Sequence, residues 1–452
     1  MEDLQPSILV IFGITGDLAR RKVLPALYHL FQNGLVHEKT YLVGTSRRAV
    51  DPNDIINTLA DAVTATDGQV NQEVLERLRS SFTMVELDPS QEQGYETLRQ
   101  HLDNLESRAG MQLHRLFYLS IPPQVFGEVV ANLGASGLNQ GSRLLVEKPF
   151  GYDLASAQDL IQKTGEHFSE DQIFRIDHYL AKETAQNILT FRRNNPLFKE
   201  LWGNRSITRV SVTATESIGI EGRANFYENV GALRDLIQSH LMQLLALTLM
   251  DVPSEITSDT VHDAKRRVLD TIESVPAHEV DQRTVRGQYA SYKSEVENSE
   301  STTETFASIT LYSRSERWQK VPLVLTTGKA LQEKCTNITV DFGEKNRLQF
   351  RIQPDEGITL TLQVKKPGFA TDIEPTSMNF TYGTAFDGVQ NPDAYERVLV
   401  EAIRGDHLLF ATDQEVLAAW RILQPVLDAW ATGTPDLKIY DNGSDGPSVS
   451  GV

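Results

Sequence analysis

The first third of the chain alternates short runs of β-branched and other apolar residues with segments of helical periodicity. The runs extend from Ile8 to Phe12, Thr40 to Gly44, Phe82 to Leu87, Arg115 to Ser120 and Arg143 to Glu147. Short strands that alternate with amphipathic helices are typical of a parallel sheet with helical crossovers. The pattern therefore predicts an α/β domain, which we place over residues 1–177.

After about residue 151 the pattern changes to longer strand-like runs with short connections. These runs extend from Ile207 to Thr215, Thr305 to Tyr312, Val321 to Thr326, Asn337 to Phe342, Leu348 to Gln353 and Ile358 to Lys365. Several connections are too short for a parallel crossover, so the strands predict a large, mainly antiparallel sheet. We expect an α+β domain over 178–440 whose first helix begins at His178, and a flexible tail rich in Gly and Ser over 441–452.

Charge, the length of apolar runs and cysteine content limit the partners and the location that we expect for the protein. The 452 residues carry 43 basic and 61 acidic side chains, and the resulting net charge of −18 repels nucleic acid and anionic membrane surfaces. The longest early apolar run, Ile8 to Gly13, is far shorter than the roughly 20 residues that span a bilayer. The single cysteine, Cys335, cannot form an intrachain disulfide, and the first residues lack a secretory-signal pattern, so we expect a cytoplasmic protein.

Two glycines, Gly13 and Gly16, directly follow the first predicted strand and precede a helical segment. Glycines let the backbone turn tightly and approach a pyrophosphate, and the helix start offers free N–H groups to its charge. We therefore assign Gly13, Thr15, Gly16, Asp17 and Leu18 to the dinucleotide site of a Rossmann-like domain. The spacing departs from G-x-G-x-x-G, and a plain tight turn explains the glycines alone equally well.

Two arginines, Arg47 and Arg48, follow the second predicted strand. A dinucleotide-binding domain specific for NAD carries an Asp or Glu here for the ribose 2′-hydroxyl, whereas guanidinium groups suit a 2′-phosphate. The arginines predict NADP as the cofactor, with NAD as a weaker alternative. Two solvated arginines in a polar loop are the competing interpretation.

The segment from Gly13 to Lys22 resembles the opening of glucose-6-phosphate dehydrogenases, a family with a Gly-x-x-Gly-Asp-Leu-Ala fingerprint. Further segments agree in order: Glu147 to Gly151, Arg175 to Glu183, Glu216 to Arg223, Gly231 to His240, and Gly328 to Lys329 with Lys334. The resemblance covers nearly the whole chain, and its Asp-His-Tyr-Leu-x-Lys-Glu part is highly specific. It implies oxidation of D-glucose 6-phosphate at C1 to 6-phospho-D-glucono-1,5-lactone with NADP, the first step of the oxidative pentose phosphate pathway. We expect no metal.

The resemblance also implies the catalytic pair, His240 and Asp177. His240 would take the proton from the C1 hydroxyl, and Asp177 would orient and stabilise the imidazolium. The chemistry is reasonable because an imidazole with a pKa of about 6.5 accepts a proton at cellular pH. Without the resemblance, the more frequent interpretation is that Asp177 caps the following helix and His240 is a buried histidine on an apolar helix.

A phosphate site is predicted around the start of the second domain. His178 and Lys182 are four residues apart, so on a helix beginning at His178 they would share one face beside its N-terminus. Tyr179 and Lys334 add further donors to an anion that carries nearly two charges. The resemblance places Lys329, Glu216 and Asp235 around the sugar hydroxyls. Each of these residues taken alone is more often a surface charge.

Lys148 precedes Pro149 at the end of a predicted Rossmann strand, where doubly wound sheets bind ligands. The resemblance implies that Lys148 lies near both substrate and coenzyme and that the Lys148–Pro149 bond is cis. Frequency alone favours a trans bond, because only about 5–6% of X-Pro bonds in folded proteins are cis.

Three residues depart from the family pattern. Ala181 replaces a Gly and Ser239 replaces an Asn, and neither change removes a catalytic group. Thr326 replaces an Arg, which weakens the prediction of substrate specificity. A dehydrogenase of another hexose or hexose phosphate is therefore the first alternative, and a non-catalytic NADP-binding regulator is the second. The resemblance further implies a homodimer through the second-domain sheet, or a homotetramer.

Overall fold

The computed structural model describes residues 4–386 and 391–448. These residues form two compact units. The first unit contains the described residues of Met1–Gly151, Gln158–Ala181 and Pro392–Asp413. The second contains those of Tyr152–Ala157, Lys182–Asn391 and Gln414–Val452. Each unit is therefore assembled from segments that are distant in sequence, and a single boundary near residue 177 stays a prediction about domains.

Within the described residues, the first unit is built on a seven-stranded sheet. In spatial order its strands are Phe82–Glu86, Thr40–Ser46, Ser7–Phe12, His114–Leu119, Arg143–Val146, Ile173–Ile176 and Phe410–Ala411. The first six pair in parallel, in the chain order 3-2-1-4-5-6 that defines the doubly wound dinucleotide-binding fold. The α/β prediction is confirmed.

The edge strand Phe410–Ala411 is antiparallel and was not expected from the sequence. It arrives late in the chain, because residues of Pro392–Asp413 return to the first unit. Phe410 contacts the Phe174 ring edge-on, with ring centroids 4.9 Å apart, so an aromatic contact contributes to this pairing.

Helices cover the sheet of the first unit. Their bounds are Leu24–Gln32, Pro52–Asp67, Gln72–Ser81, Gln93–Ala109, Phe126–Ala135 and Ala394–Arg404, with a π-helical turn at Ala19–Val23 and 3-10 turns at Pro123–Val125 and Glu170–Gln172. Local side chains set the starts of several helices: Asp51 accepts a hydrogen bond from the Asn53 N–H at 2.8 Å, and Asn71 accepts one from the Glu73 N–H at 2.9 Å. Helix Leu154–Gly165 contains residues of both units.

The second unit is built on a nine-stranded sheet within the described residues. In spatial order the strands are Ile373–Thr381, Gly357–Lys365, Asn346–Gln353, Cys335–Phe342, Ile207–Thr215, Leu323–Gly328, Phe306–Leu311, Thr284–Tyr289 and Lys438–Tyr440. Neighbouring strands are antiparallel except for Leu323–Gly328 beside Ile207–Thr215 and Lys438–Tyr440 beside Thr284–Tyr289. The prediction of a large, mainly antiparallel sheet is confirmed.

The helices of the second unit are short except for three. The bounds are Glu183–Asn194, Pro196–Lys199, Ala224–Tyr227, Met242–Leu249, Ser258–Thr271, Val280–Arg283, Tyr292–Glu295, Tyr382–Ala385 and Asp413–Ala431, with a π-helix at Leu233–Leu241 and a 3-10 turn at Ala277–Glu279. The expected helix start at His178 is wrong, because residues 178–182 form a turn and the helix begins at Glu183.

Residues after Tyr440 pack against the second unit as far as the structure describes them. Tyr440 is buried and donates a hydrogen bond to the Lys329 carbonyl at 2.7 Å. The Gly443 N–H donates to the Ala330 carbonyl at 2.7 Å, and the Gln332 N–H donates to the Ser444 carbonyl at 2.9 Å. These contacts differ from the free tail that Gly and Ser content predicts for 441–448; residues 449–452 lie outside the described residues.

No helix among residues 4–386 and 391–448 is both long and apolar enough to cross a membrane.

His29 joins two carboxylates in the first unit. Its Nδ1 lies 3.0 Å from Glu396 Oε1 and its Nε2 lies 2.9 Å from Asp67 Oδ2. The Glu396 hydrogen bond, helped by Asp67, raises the pKa of His29 to about 9 against the opposing effect of burial. The imidazolium therefore ties together helices Leu24–Gln32, Pro52–Asp67 and Ala394–Arg404.

We predict that His29→Gln lowers the free energy of unfolding by about 1–2 kcal/mol at pH 6. A raised folded-state pKa gives stabilisation that is complete below the unfolded value of about 6.5 and is lost as the pH rises through about 9. Urea unfolding at pH 6 and pH 10 measures the difference. His278→Gln is the control, because that side chain is 81% exposed. An equal loss at both pH values would contradict the prediction.

Candidate active site

The glycine turn of the first unit has the geometry of a phosphate-binding turn. Gly13 has φ +75°, and the Gly16 N–H donates to the Gly13 carbonyl at 2.8 Å. A side chain at Gly13 would collide with the Ser120 carbonyl, so only glycine fits there. The Arg20 N–H bonds to the Gly16 carbonyl at 3.1 Å and the chain continues into the π-helical turn Ala19–Val23. The turn therefore points the N-terminal end of this helix at the space in front of the turn.

A cavity of about 870 Å³ lies in front of this turn, entirely within the first unit. Its lining includes Gly13, Thr15, Gly16, Arg47 and Arg48. The structure therefore brings together the two segments that the sequence assigned to the cofactor. The volume of the cavity, its glycine turn and its two guanidinium groups fit a dinucleotide.

Three other predicted cofactor residues do not line this cavity. Asp17 is exposed and pairs with Arg21 at 3.3 Å. Leu18 packs against the hydrophobic core of the first unit. Lys148 lies half-buried just beyond strand Arg143–Val146, and the Lys148–Pro149 bond is cis, as the resemblance implied.

Asp177 is almost fully buried, with 2% of its surface exposed, at the end of strand Ile173–Ile176. Its Oδ1 accepts a hydrogen bond from the Tyr179 N–H at 3.0 Å, and its carbonyl accepts one from the Leu180 N–H at 3.0 Å. Asp177 therefore organises a turn and does not cap a helix.

The prediction that His178 and Lys182 share a helix face is wrong, because both precede the helix that begins at Glu183. His178 is half-buried, and its ring stacks on the Tyr395 ring with centroids 6.1 Å apart and an interplanar angle of 18°. Tyr179 is 7% exposed, whereas Lys182 is half-buried.

The sequence analysis gave no role to Glu147, the half-buried residue next to Lys148, although it begins one of the family segments. Glu147 accepts a hydrogen bond from the Tyr118 hydroxyl at 2.5 Å. Burial raises the pKa of Glu147 to about 7, against the opposing effects of the Tyr118 hydrogen bond and the Lys148 charge. Burial and the Glu147 carboxylate raise the pKa of Tyr395. Since Tyr118, Glu147 and Tyr395 come from distant segments, no local signal reveals this cluster.

In the second unit, Lys329 lies between two predicted carboxylates. Its Nζ pairs with Glu216 Oε2 and lies 3.8 Å from Asp235 Oδ2, and 4% of the residue is exposed. The register explains the first pair: strand Leu323–Gly328 runs parallel to Ile207–Thr215 with Gly328 opposite Thr215, so the next residue of each strand lies side by side. The structure thus groups Lys329, Glu216 and Asp235 as the sequence predicted.

The Tyr227 ring also contacts Lys329. Lys329 Nζ lies 5.1 Å from the centroid of the Tyr227 ring, a distance at which a cation is attracted to an aromatic face. Burial, followed by the Asp235 charge, raises the pKa of Tyr227 well above its ordinary value. The predicted family motifs do not include Tyr227.

His240 and Asp235 belong to one π-helix, Leu233–Leu241. His240 is 1% exposed. The buried Glu304 holds the beginning of this helix: its carbonyl accepts from the Ala232 N–H at 2.9 Å and its Oε1 accepts from the Leu233 N–H at 3.1 Å. Sequence analysis missed Glu304, which has no local motif. π-Helical segments are rare and occur frequently at functional sites.

The remaining predicted positions are less enclosed or serve local contacts. Lys334 is exposed. Thr326 lies in strand Leu323–Gly328 and its hydroxyl is 2.9 Å from the Ser308 hydroxyl. The Ser239 hydroxyl donates to the Asp235 carbonyl at 3.2 Å, and Ala181 is fully buried in the core of the first unit.

No group of three or more His, Cys, Asp or Glu side chains in residues 4–386 and 391–448 is arranged to hold a metal ion. The expectation that the chain uses no metal stays a prediction.

A doubly wound unit with a dinucleotide-sized cavity, joined to a unit that groups a lysine with two carboxylates, defines the class of protein as a nicotinamide-dependent oxidoreductase. Residues 10–187 match the family model described as glucose-6-phosphate dehydrogenase, NAD binding domain, and residues 189–451 match its C-terminal domain. The chain belongs to the glucose-6-phosphate dehydrogenase family.

Individual relatives agree over almost their whole length. The chain is 37% identical over 471 residues to glucose-6-phosphate 1-dehydrogenase of Mycolicibacterium smegmatis, covering 98% of this chain and 95% of that protein. It is 40% identical over 478 residues to glucose-6-phosphate 1-dehydrogenase 2 of Mycobacterium bovis, covering 98% and 92%. A solved structure of a glucose-6-phosphate dehydrogenase in complex with its substrate glucose-6-phosphate matches with a TM-score of 0.92 and 31% identity, covering 99% of this chain and 96% of that chain.

We predict that Gly13→Ala weakens binding of NADPH and NADH at least tenfold, because the new side chain would push the turn away from the Ser120 carbonyl. Titration of nucleotide fluorescence measures both affinities without substrate. Gly165→Ala is the matched control, since nothing lies within 4 Å of a Cβ there and φ is not positive. Equal affinities for the wild type and Gly13→Ala would contradict the assignment of the turn.

Proposed function

We propose that this chain oxidises D-glucose 6-phosphate at C1 to 6-phospho-D-glucono-1,5-lactone with NADP as hydride acceptor, the first step of the oxidative pentose phosphate pathway. The observation that carries the proposal is the position of Lys329 between Glu216 and Asp235, with Asp235 on the same π-helix as His240. Carboxylates accept hydrogen bonds from sugar hydroxyls, and an ammonium group donates to them.

The reaction removes one proton and one hydride from the sugar. The bound nicotinamide would supply the hydride acceptor. We assign to His240 the removal of the proton from the C1 hydroxyl, which leaves the oxygen electron pair to form the lactone carbonyl as the C1–H bond breaks. We assign to Asp177 the stabilisation of the resulting imidazolium charge. Lys148 is assigned to both substrate and cofactor.

The substrate phosphate is assigned to His178, Tyr179, Lys182 and Lys334. A phosphate carries nearly two negative charges at neutral pH, and charge-assisted hydrogen bonds from ammonium and imidazolium groups are the strongest that proteins offer. The stacking of His178 on Tyr395 limits the rotation of that imidazole and supports a fixed role for it. The chain's net charge of −18 makes such a local basic site necessary for an anionic substrate.

We assign the 2′-phosphate of NADP to Arg47 and Arg48, with NAD as the weaker cofactor. Both side chains are exposed and both residues line the cavity that contains the glycine turn. Guanidinium groups bind phosphate oxygens in pairs of parallel hydrogen bonds, and they stay charged at any cellular pH. Asp17 and Leu18, which directly follow Gly16, are assigned to the same cofactor-binding segment.

A dehydrogenase of another hexose or hexose phosphate is the second candidate. Thr326 favours it, because the family pattern implies an Arg at this position, whereas the Thr326 hydroxyl lies 2.9 Å from the Ser308 hydroxyl. Equal kcat/KM values for glucose 6-phosphate and galactose 6-phosphate would favour this candidate. Absence of turnover with every sugar phosphate would instead favour a non-catalytic NADP-binding regulator.

We further propose a cytoplasmic homodimer, with a homotetramer as the alternative arrangement. The edge strand Ile373–Thr381 supports association through the second-unit sheet, because Ile373 and Met378 are 66% and 64% exposed. Exposed apolar side chains on an edge strand are typical of a surface that pairs with another chain.

We predict that His240→Asn lowers kcat by about 10²–10⁴, because asparagine cannot accept the C1 proton. NADPH binding should change little, which nucleotide fluorescence can verify. His278→Asn is the control, as His278 is exposed and belongs to the 3-10 turn Ala277–Glu279 and not to the π-helix. Initial rates of NADPH formation measure kcat. A wild-type kcat in His240→Asn would remove the proposed base.

A further inference from the structure

A carboxylate lies beside the arginines of the cofactor cavity. Strands Thr40–Ser46 and Phe82–Glu86 are parallel neighbours with Ser46 opposite Glu86. The Leu87 N–H donates to the Ser46 carbonyl at 2.8 Å, which extends this pairing one residue beyond the second strand. Because the carboxyl ends of parallel strands meet at one edge of the sheet, Arg47 and Asp88 leave the sheet next to each other.

Asp88 is held in one orientation by its own turn. Its Oδ1 accepts hydrogen bonds from the Ser90 N–H at 3.1 Å and the Ser90 hydroxyl at 2.9 Å. Its Oδ2 accepts a hydrogen bond from the Gln91 side chain at 3.3 Å. The Ser90 N–H, then the Ser90 hydroxyl, then the Arg47 charge lower the pKa of Asp88. The carboxyl is therefore ionised at cellular pH.

Asp88 also faces the same cavity as the glycine turn. The lining of the cavity includes Gly13, Arg47, Asp88 and Ser90. In doubly wound folds the adenosine ribose lies at the end of the second strand, where a carboxylate accepts the 2′-hydroxyl of NAD. This cavity carries such a carboxylate just after the third strand, while the residues just after the second strand are arginines.

The two kinds of group act in opposite directions on the cofactor. A 2′-phosphate carries nearly two negative charges, so it is attracted by Arg47 and repelled by an ionised carboxylate beside it. A 2′-hydroxyl has no charge, and the same carboxylate accepts its hydrogen bond. The carboxylate therefore favours NAD relative to NADP, whichever cofactor the arginines favour overall.

We propose that Asp88 is a specificity-determining residue that accepts a ribose hydroxyl of NAD and reduces the preference for NADP, so that the enzyme turns over both cofactors. The inference rests on the cofactor assignment of the proposed function. It adds a residue outside the family segments identified in the sequence. The competing interpretation is that Asp88 serves only to close the turn with Ser90.

The test is Asp88→Asn, which removes the charge and keeps an Oδ1 acceptor for the Ser90 N–H. The ratio of kcat/KM for NADP to kcat/KM for NAD should rise about tenfold, through a lower KM for NADP and a higher KM for NAD. Asp61→Asn is the control, because it removes the same charge from an exposed position on helix Pro52–Asp67. A ratio in Asp88→Asn within twofold of the wild type would overturn the inference.

A second variant separates charge from turn geometry. Ser90→Ala removes one donor to Asp88 but leaves the carboxylate, so its cofactor ratio should stay close to the wild-type value. A shift in Ser90→Ala as large as that in Asp88→Asn would show that the turn, not the charge, sets the ratio, and would overturn the inference.

Arg47→Ala distinguishes failure of the inference from failure of the cofactor assignment. It should lower the NADP to NAD ratio by raising KM for NADP. An unchanged ratio in Arg47→Ala would show that the 2′-phosphate is bound elsewhere, which would overturn both. A lowered ratio in Arg47→Ala together with an unchanged ratio in Asp88→Asn would overturn only the role of Asp88.

Discussion

The ion pair between the buried Lys329 and the half-buried Glu216 is the interaction on which the candidate site of the second unit depends. A charged lysine that is only 4% exposed is costly unless carboxylates compensate its charge, so its partners must be held in place. Three pieces of structure meet that requirement. Gly328 pairs with Thr215 in parallel register, Asp235 comes from the π-helix, and the Tyr227 ring lies under the ammonium group.

Buried residues of the second unit also hold the backbone around this ion pair. Tyr440, near the end of the described chain, donates to the Lys329 carbonyl, and the buried Glu304 fixes the start of the π-helix that carries Asp235 and His240. The backbone around Lys329 is thus held from two sides by groups distant in sequence. A lysine held this way is already ordered before a ligand binds, which reduces the entropy lost in the sugar binding that we propose for it.

Local patterns predicted the sheets well because periodicity depends on neighbours in sequence. The run from Ile207 to Thr215 was predicted with the bounds that the structure has. The predicted helix start at His178 was wrong, because the Asp177 side chain accepts a hydrogen bond from the Tyr179 N–H and stabilises a turn instead. The edge strand Phe410–Ala411 was not predicted, because a strand of two residues is too short to show a periodicity. Its partner strand also lies more than 200 residues earlier in the chain.

Only part of the candidate site was predicted, because motifs depend on neighbours in sequence and do not reveal contacts that folding creates. Family motifs gave Lys329, Glu216 and Asp235, which the fold brings together, but they did not give Glu304 or Tyr227. Those two act through contacts that only the folded chain creates, so no spacing in the sequence reveals them.

In the proposed reaction a hydride leaves C1 of glucose 6-phosphate for the nicotinamide. The most direct measurement uses glucose 6-phosphate deuterated at C1 with NADP and locates the label by NMR of the reduced cofactor. We predict one deuterium at C4 of the nicotinamide for each lactone formed. NADPH without deuterium, or no reduction of NADP at all, would contradict it.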